Sequence, residues 1–115
     1  PLPKNPRRFR FVLGTSSVVG RSAGDLYSHP GGGVLQAVVT SLDFTNTTAS
    51  PITIDVWHRN AGDTQSRFLL DDAVVPGKGT LSWRGMLTLD ASGEKLRAQA
   101  SATGIDALGT VVEYS

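Results

Sequence analysis

The side chains that could do chemistry in this 115-residue chain are few, and their spacing does not assemble them. His29 and His58 are the two ordinary bases. A hydrolytic triad needs a nucleophile, a base and a group that orients the base. His29 precedes Pro30 in a glycine-rich turn, and His58 follows Trp57 at the end of a strand pattern. Neither lies in Gly-x-Ser-x-Gly or His-Glu-x-x-His, the spacings that place a nucleophile or a metal beside its base. Two carboxylates facing each other across a cleft would suit glycoside hydrolysis. Asp71 and Asp72 are adjacent, however, and neighbours on a strand point to opposite faces, so they read as edge or loop charges. Glu94 falls in a turn and Glu113 near the terminus. With no cysteine, disulfides and thiolate metal sites are excluded, and two histidines among scattered carboxylates do not make a zinc set. Gly31-Gly32-Gly33 lacks the Lys-Ser/Thr of a phosphate loop and no helix pattern follows it. Asn46-Thr47-Thr48 matches a glycosylation sequon, a three-residue match that chance supplies often. No catalytic, cofactor-binding or metal-binding residue is expected, and the chain reads as a non-enzyme.

What remains is chemistry of contact. Trp57 and Trp83 are the large aromatics able to anchor a partner or stack a sugar. Trp57 is out of phase with Ile52, Ile54 and Val56, so it is expected to face outward, toward an interface. Charge is the second resource. Residues 1–30 hold Lys4, Arg7, Arg8, Arg10 and Arg21 against Asp25 alone, a net +4. Residues 31–115 hold six basic and nine acidic residues, a net −3. A basic segment on a mildly acidic body is the pattern of an interaction tail. Lys4, Arg7, Arg8 and Arg10, with Trp57, are the expected partner-binding residues. Five cations with little aromatic interleaving do not make a nucleic-acid signature. No run approaches the roughly 20 apolar residues of a membrane helix, and no apolar stretch follows the basic residues as in a signal peptide.

The elements that must position these residues are strands. Pro1, Pro3 and Pro6 remove ladder donors, so residues 1–8 read as an extended basic arm and 9–115 as one domain. Phe9, Phe11 and Leu13 alternate along a first strand, and Ser17 to Gly20 form a short further piece. Leu26 to Ser28 is a short strand, and Val34 to Thr45 the longest. In that long strand Val38, Thr40, Leu42 and Phe44 fall on one face, and Val39, Ser41, Asp43 and Thr45 on the other. Strand patterns continue over 52–57, 67–75 (bulged at Asp71-Asp72), 80–83 running into 86–89, 95–102 and 105–114, with an interruption near Gly109. Inward positions should include Ile54, Val56, Leu96 and Ala98. About eight short strands separated by Gly, Pro and Asn turns specify an all-β antiparallel sandwich, jelly-roll-like, with no helix.

The succession Leu26-Tyr27, Pro30-Gly31, a strand to Asn46-Thr47, Val75-Pro76-Gly77-Lys78-Gly79-Thr80-Leu81, a Gly93 turn and Leu96-Arg97-Ala98-Gln99-Ala100-Ser101 resembles small tailed-bacteriophage virion proteins. The resemblance covers residues 25–114. Residues 1–24 do not fit it, and Ser28-His29 stands where that group tends to carry an apolar residue. It implies a capsid decoration (cement) protein binding the major capsid protein, carried in the virion and made in the host bacterial cytoplasm. It also admits a neck, tail or baseplate accessory protein. A carbohydrate- or receptor-binding module using the two tryptophans is the other reading. Self-association into a homo-oligomer is expected, a trimer foremost, because such proteins often sit on three-fold axes.

Overall fold

A computed structural model describes residues 6–13, 22–60 and 66–115. Its elements are eight strands: β1 (Arg7–Leu13), β2 (Ser22–Ser28), β3 (Gln36–Asn46), β4 (Ile52–Arg59), β5 (Ser66–Val75), β6 (Thr80–Leu89), β7 (Lys95–Ala100) and β8 (Ile105–Tyr114). They form two four-stranded sheets, ordered β1-β8-β3-β6 and β2-β7-β4-β5. Every ladder is antiparallel, and β1 pairs β8, β2 pairs β7, β3 pairs β6 and β4 pairs β5. Each pair is nested inside the last, as in one long hairpin doubled over and rolled into two layers. That is the eight-stranded jelly roll.

Alternation builds the core. Along β8 the odd-numbered residues from Ile105 to Glu113 are buried and the even-numbered ones are not. Along β7, Leu96, Ala98 and Ala100 are buried. Ile54 and Val56 join them from β4, and Leu42 and Phe44 from β3, in one apolar cluster between the sheets. The expected inward set holds, but the alternation expected over 95–102 stops at Ala100, and Ala102 is exposed. The ladder of β7 ends where Ser101 N–H donates to Thr53 O, and the chain then turns through Gly104 at φ 115°.

Bulges decide which side chains face where. In β3 the register shifts between Val39 and Ser41. Thr40 takes up the extra residue, so Ala37 and Val39 turn inward with Leu42 and Phe44, and Val38 turns out. The unbroken alternation expected for Val34 to Thr45 is thereby corrected. In β5, Asp72 sits at φ 50° and the pairing shifts between Ile54 and Val56. The bulge expected at Asp71-Asp72 is present.

The interruption expected near Gly109 is absent: β8 runs unbroken from Ile105 to Tyr114, and Gly109 serves packing instead. Phe9 on β1 lies directly across Gly109 of β8, and a Cβ there would sit 2.3 Å from the ring. Only glycine lets the ring lie on the neighbouring strand. The arm boundary also moves. β1 begins at Arg7, paired with Val111, so Arg7 and Arg8 belong to the sheet edge and not to the segment 1–8 read as an arm. Lys4 and the piece Ser17 to Gly20 lie outside the described residues.

Candidate functional site

Strand β1 distributes its arginines by alternation. Arg7 and Phe9 face the gap between the sheets, while Arg8 and Arg10 face outward. The Arg7 guanidinium donates to Glu113 Oε2 at 2.8 Å, and the Tyr27 hydroxyl donates to the same oxygen from the opposite sheet. The Glu113 side chain is 8% exposed. Burial, then the Glu113 carboxylate, pushes the Tyr27 phenol well above its ordinary value. The Phe9 and Tyr27 rings lie 5.7 Å apart beside this cluster. A carboxylate placed between two sheets needs such donors, and here they tie β1, β2 and β8 together. Arg7 is therefore spent on the fold.

The outer face of the first sheet carries the other arginines in two adjacent rows. Arg8, Thr110, Ser41 and Arg84 make one; Arg10, Leu108, Asp43 and Ser82 make the next. Arg10 forms a two-pronged pair with Asp106, Nε to Oδ1 at 3.1 Å and Nη2 to Oδ2 at 2.8 Å. This contact raises the Arg10 pKa and lowers that of Asp106. Arg84 Nη1 donates to Asp43 Oδ1 at 3.0 Å, and the Ser82 hydroxyl donates to the same oxygen at 2.6 Å. Ser82 first, then Arg84, holds Asp43 below its usual value despite some burial. Arg8 is exposed and has no acidic partner among the described residues. Of the expected docking cations, Arg8 alone among those described is left for a partner. Beside Arg10 and Asp106, a shallow hollow of about 170 Å³ is lined also by Thr47, Gly104 and Ile105.

Trp57 lies on the outer face of the second sheet, as its phase predicts. It is half-buried, and its ring centroid lies 5.9 Å from that of Phe68 on β5. Phe68 is itself 53% exposed, so the two rings form an aromatic surface. Sequence reading missed Phe68, because its strand carries a second register shift between Val56 and Trp57 that turns it outward. Trp83 differs. It pairs with Leu42 on the inward face and packs against the core.

The polar residues weighed for catalysis are engaged in turns. His29 is buried, with Nδ1 accepting the Gly31 N–H at 3.0 Å and Nε2 donating to Leu35 O at 3.3 Å. His58 Nε2 meets Glu94 Oε1 at 2.9 Å, while Glu94 Oε2 accepts the N–H groups of Asp90 and Ala91. Asn46 is buried, its Nδ2 donating to Ser50 O and Val75 O, its Oδ1 accepting from Thr48. The sequon amide is thus occupied in the folded chain. Asp71 and Asp72 do not point to opposite faces, because the bulge gathers their carboxylates and that of Asp55 within 4.8 Å. The buried Asp55 carboxylate accepts the Asp72 N–H at 2.7 Å, which closes the bulge.

An eight-stranded jelly roll with mixed polar and aromatic outer faces is the class this geometry defines. No family model and no curated protein matches the chain. Solved structures do, at the level of fold. A structure of infectious bursal disease virus, Gx strain, matches with TM-score 0.53 and 12% identity over 96% of this chain and 32% of that one. The chain thus spans about a third of that protein's length. A virus-like particle of the extra small virus of the prawn Macrobrachium rosenbergii matches with TM-score 0.51 and 9% identity, over 97% and 77%. A Bacillus endospore appendage, from a family of disulfide-linked pili, matches with TM-score 0.52 and 12% identity, over 99% and 87%. None of these three is a tailed-bacteriophage decoration protein, and at such identities the likeness is one of fold.

Proposed function

We propose that this chain is a non-enzymatic structural protein of a virus particle, and within that class a capsid decoration protein of a tailed bacteriophage. The observation that carries the reading is the fold, in which nearly the whole chain matches two virus-particle structures. The engaged state of His29, His58, Glu94 and Asn46 is consistent with it, since each serves a turn. The partner is the major capsid protein, met by the outer face of the first sheet around Arg8, with Lys4 in the preceding segment. Each contact can be weak, because many identical copies bind one particle. On this reading the chain is made in the bacterial cytoplasm and carried in the virion.

The test is co-sedimentation with phage particles that lack this protein. Full-length chain should bind, and binding should weaken with salt, because exposed charges are screened over about 8–10 Å. Arg8→Glu should bind less while melting like the parent. Equal binding by both forms at low and high salt would move the docking surface away from β1. Absence of the chain from purified virions would end the reading altogether.

A further inference from the structure

The outer face of the second sheet is sorted by charge around an aromatic centre. Trp57 stands in one row between Phe68 of β5 and Arg97 of β7. One row back along β4 stands Asp55, with Asp72 brought against it by the bulge. One row forward stands Arg59, paired with Lys95 of β7. Rows on one face of a strand lie about 7 Å apart, so acid and base are equidistant from Trp57. They are also diagonal: Asp72 lies on the β5 side of Trp57, and Lys95 on the β7 side.

A half turn about an axis lying in the plane of the face, over Trp57 and perpendicular to the line from Asp72 to Lys95, therefore exchanges the acidic corner with the basic one. Such a face is complementary to itself. We infer that it is a two-fold interface between two copies of this chain, with the Trp57–Phe68 surface against its twin and Asp72 of each copy facing Lys95 of the other. A two-fold contact is built when residue i of one copy meets j of the other and j meets i, which this diagonal supplies twice. Aromatics at the centre and charges at the rim match the anatomy of protein interfaces, the centre giving affinity and the rim giving register. Phe68 is 53% exposed and Val74, on β5 beyond the acidic row, is 56% exposed, apolar side chains that a second copy would cover. The inference goes beyond the particle role and does not need it, since it concerns the isolated chain.

The test uses sedimentation velocity on the whole chain. The parent should be a dimer at about 100 μM and dissociate on dilution. Asp72→Lys and Lys95→Asp should each weaken the dimer about tenfold or more by setting like charges face to face. The double variant D72K/K95D should restore it. Lysine at a positive φ is already tolerated here, since Lys78 sits at φ 58°. Asp72→Asn, safer still for the backbone, should weaken the dimer less. The chain has no cysteine, so Phe68→Cys can be oxidised with glutathione disulfide to report its neighbour. It should give a covalent dimer, while Met86→Cys, at a still more exposed position on the other sheet, should not. A monomeric or trimeric parent overturns the inference. So does a swap that fails to restore the dimer in variants that melt normally, or equal cross-linking at both cysteines. A monomer that binds a sugar on a glycan array through Trp57 would assign the face to a carbohydrate instead.

Discussion

The two sheets are alike inside and different outside. Each gives β-branched and leucine side chains to one core, with Leu42 of β3 and Ile54 of β4 both buried. Outside, the first sheet neutralises its arginines locally, Arg10 on Asp106 and Arg84 on Asp43. The second sheet gathers Asp55, Asp71 and Asp72 on one side of Trp57 and Phe68 and Arg59 and Lys95 on the other, with Arg97 in the aromatic row. The inner faces are set by what a core requires, whereas the outer faces are free to differ and so carry what is particular to this protein.

The largest effects test the sameness of the inner faces. Leu42→Ala and Ile54→Ala should each cost about 2–5 kcal/mol, because each empties a packed site. Urea unfolding followed by tryptophan fluorescence measures both. If one costs almost nothing, the sheets do not share a single core. Next is the edge of the first sheet. Gly109→Ala puts a Cβ where the Phe9 ring lies, and overpacking of this kind costs about 1–3 kcal/mol. Phe9→Ala in the same background should remove most of that clash, so the two changes should not add.

How far the chain announces this arrangement depends on scale. Strand positions, the sandwich and the inward set of Ile54, Val56, Leu96 and Ala98 follow from period-two alternation, which is a local property. The face of Val38 and Val39 does not, because one bulge residue at Thr40 inverts the phase beyond it. The gathering of Asp55, Asp71 and Asp72 was hidden for the same reason. Arg7 looked like a tail cation, since its partners Glu113 and Tyr27 are far away in the chain and only the closing of β1 on β8 brings them near. Phe68 could have been found. A hydrophobic residue directly after Arg67 and before two inward leucines breaks the alternation, and that break marks a bulge.

Intermediate effects probe the seam between the sheets. Tyr27→Phe removes a hydrogen bond to a buried carboxylate and should cost about 0.5–1.5 kcal/mol at neutral pH. Its pH dependence carries a sign. The folded phenol titrates above its ordinary value of 10.0, so the folded chain holds the proton longer than the unfolded one. Stability from this group is complete below pH 10 and is lost as pH rises beyond it. Melting temperature measured from pH 8 to 11 should fall less steeply in Tyr27→Phe than in the parent. Identical slopes would mean that Tyr27 does not carry the alkaline loss.

The smallest effects lie on the outer face of the first sheet. Asp43 and Asp106 are both held below the usual carboxylate value by donors on neighbouring strands. For a carboxylate lowered in the folded state, the stabilisation exists above its unfolded value, 3.8 for both, and is lost as pH falls through the folded one. Because Arg84 is mostly exposed, Asp43→Asn should cost no more than about 1 kcal/mol at pH 7. It should flatten the acid limb of the melting curve below pH 4, and molar salt should shrink the difference from the parent. The sharper form of this test sets Asp43→Asn beside Asp72→Asn. The first should alter acid stability and leave sedimentation unchanged, because its charge is answered within one chain. The second should alter sedimentation, because on the inferred interface its charge is answered by a second copy. Were both to move the same observable, the two outer faces would not differ in kind, and the separation of a self-neutralised face from a sorted one would fail.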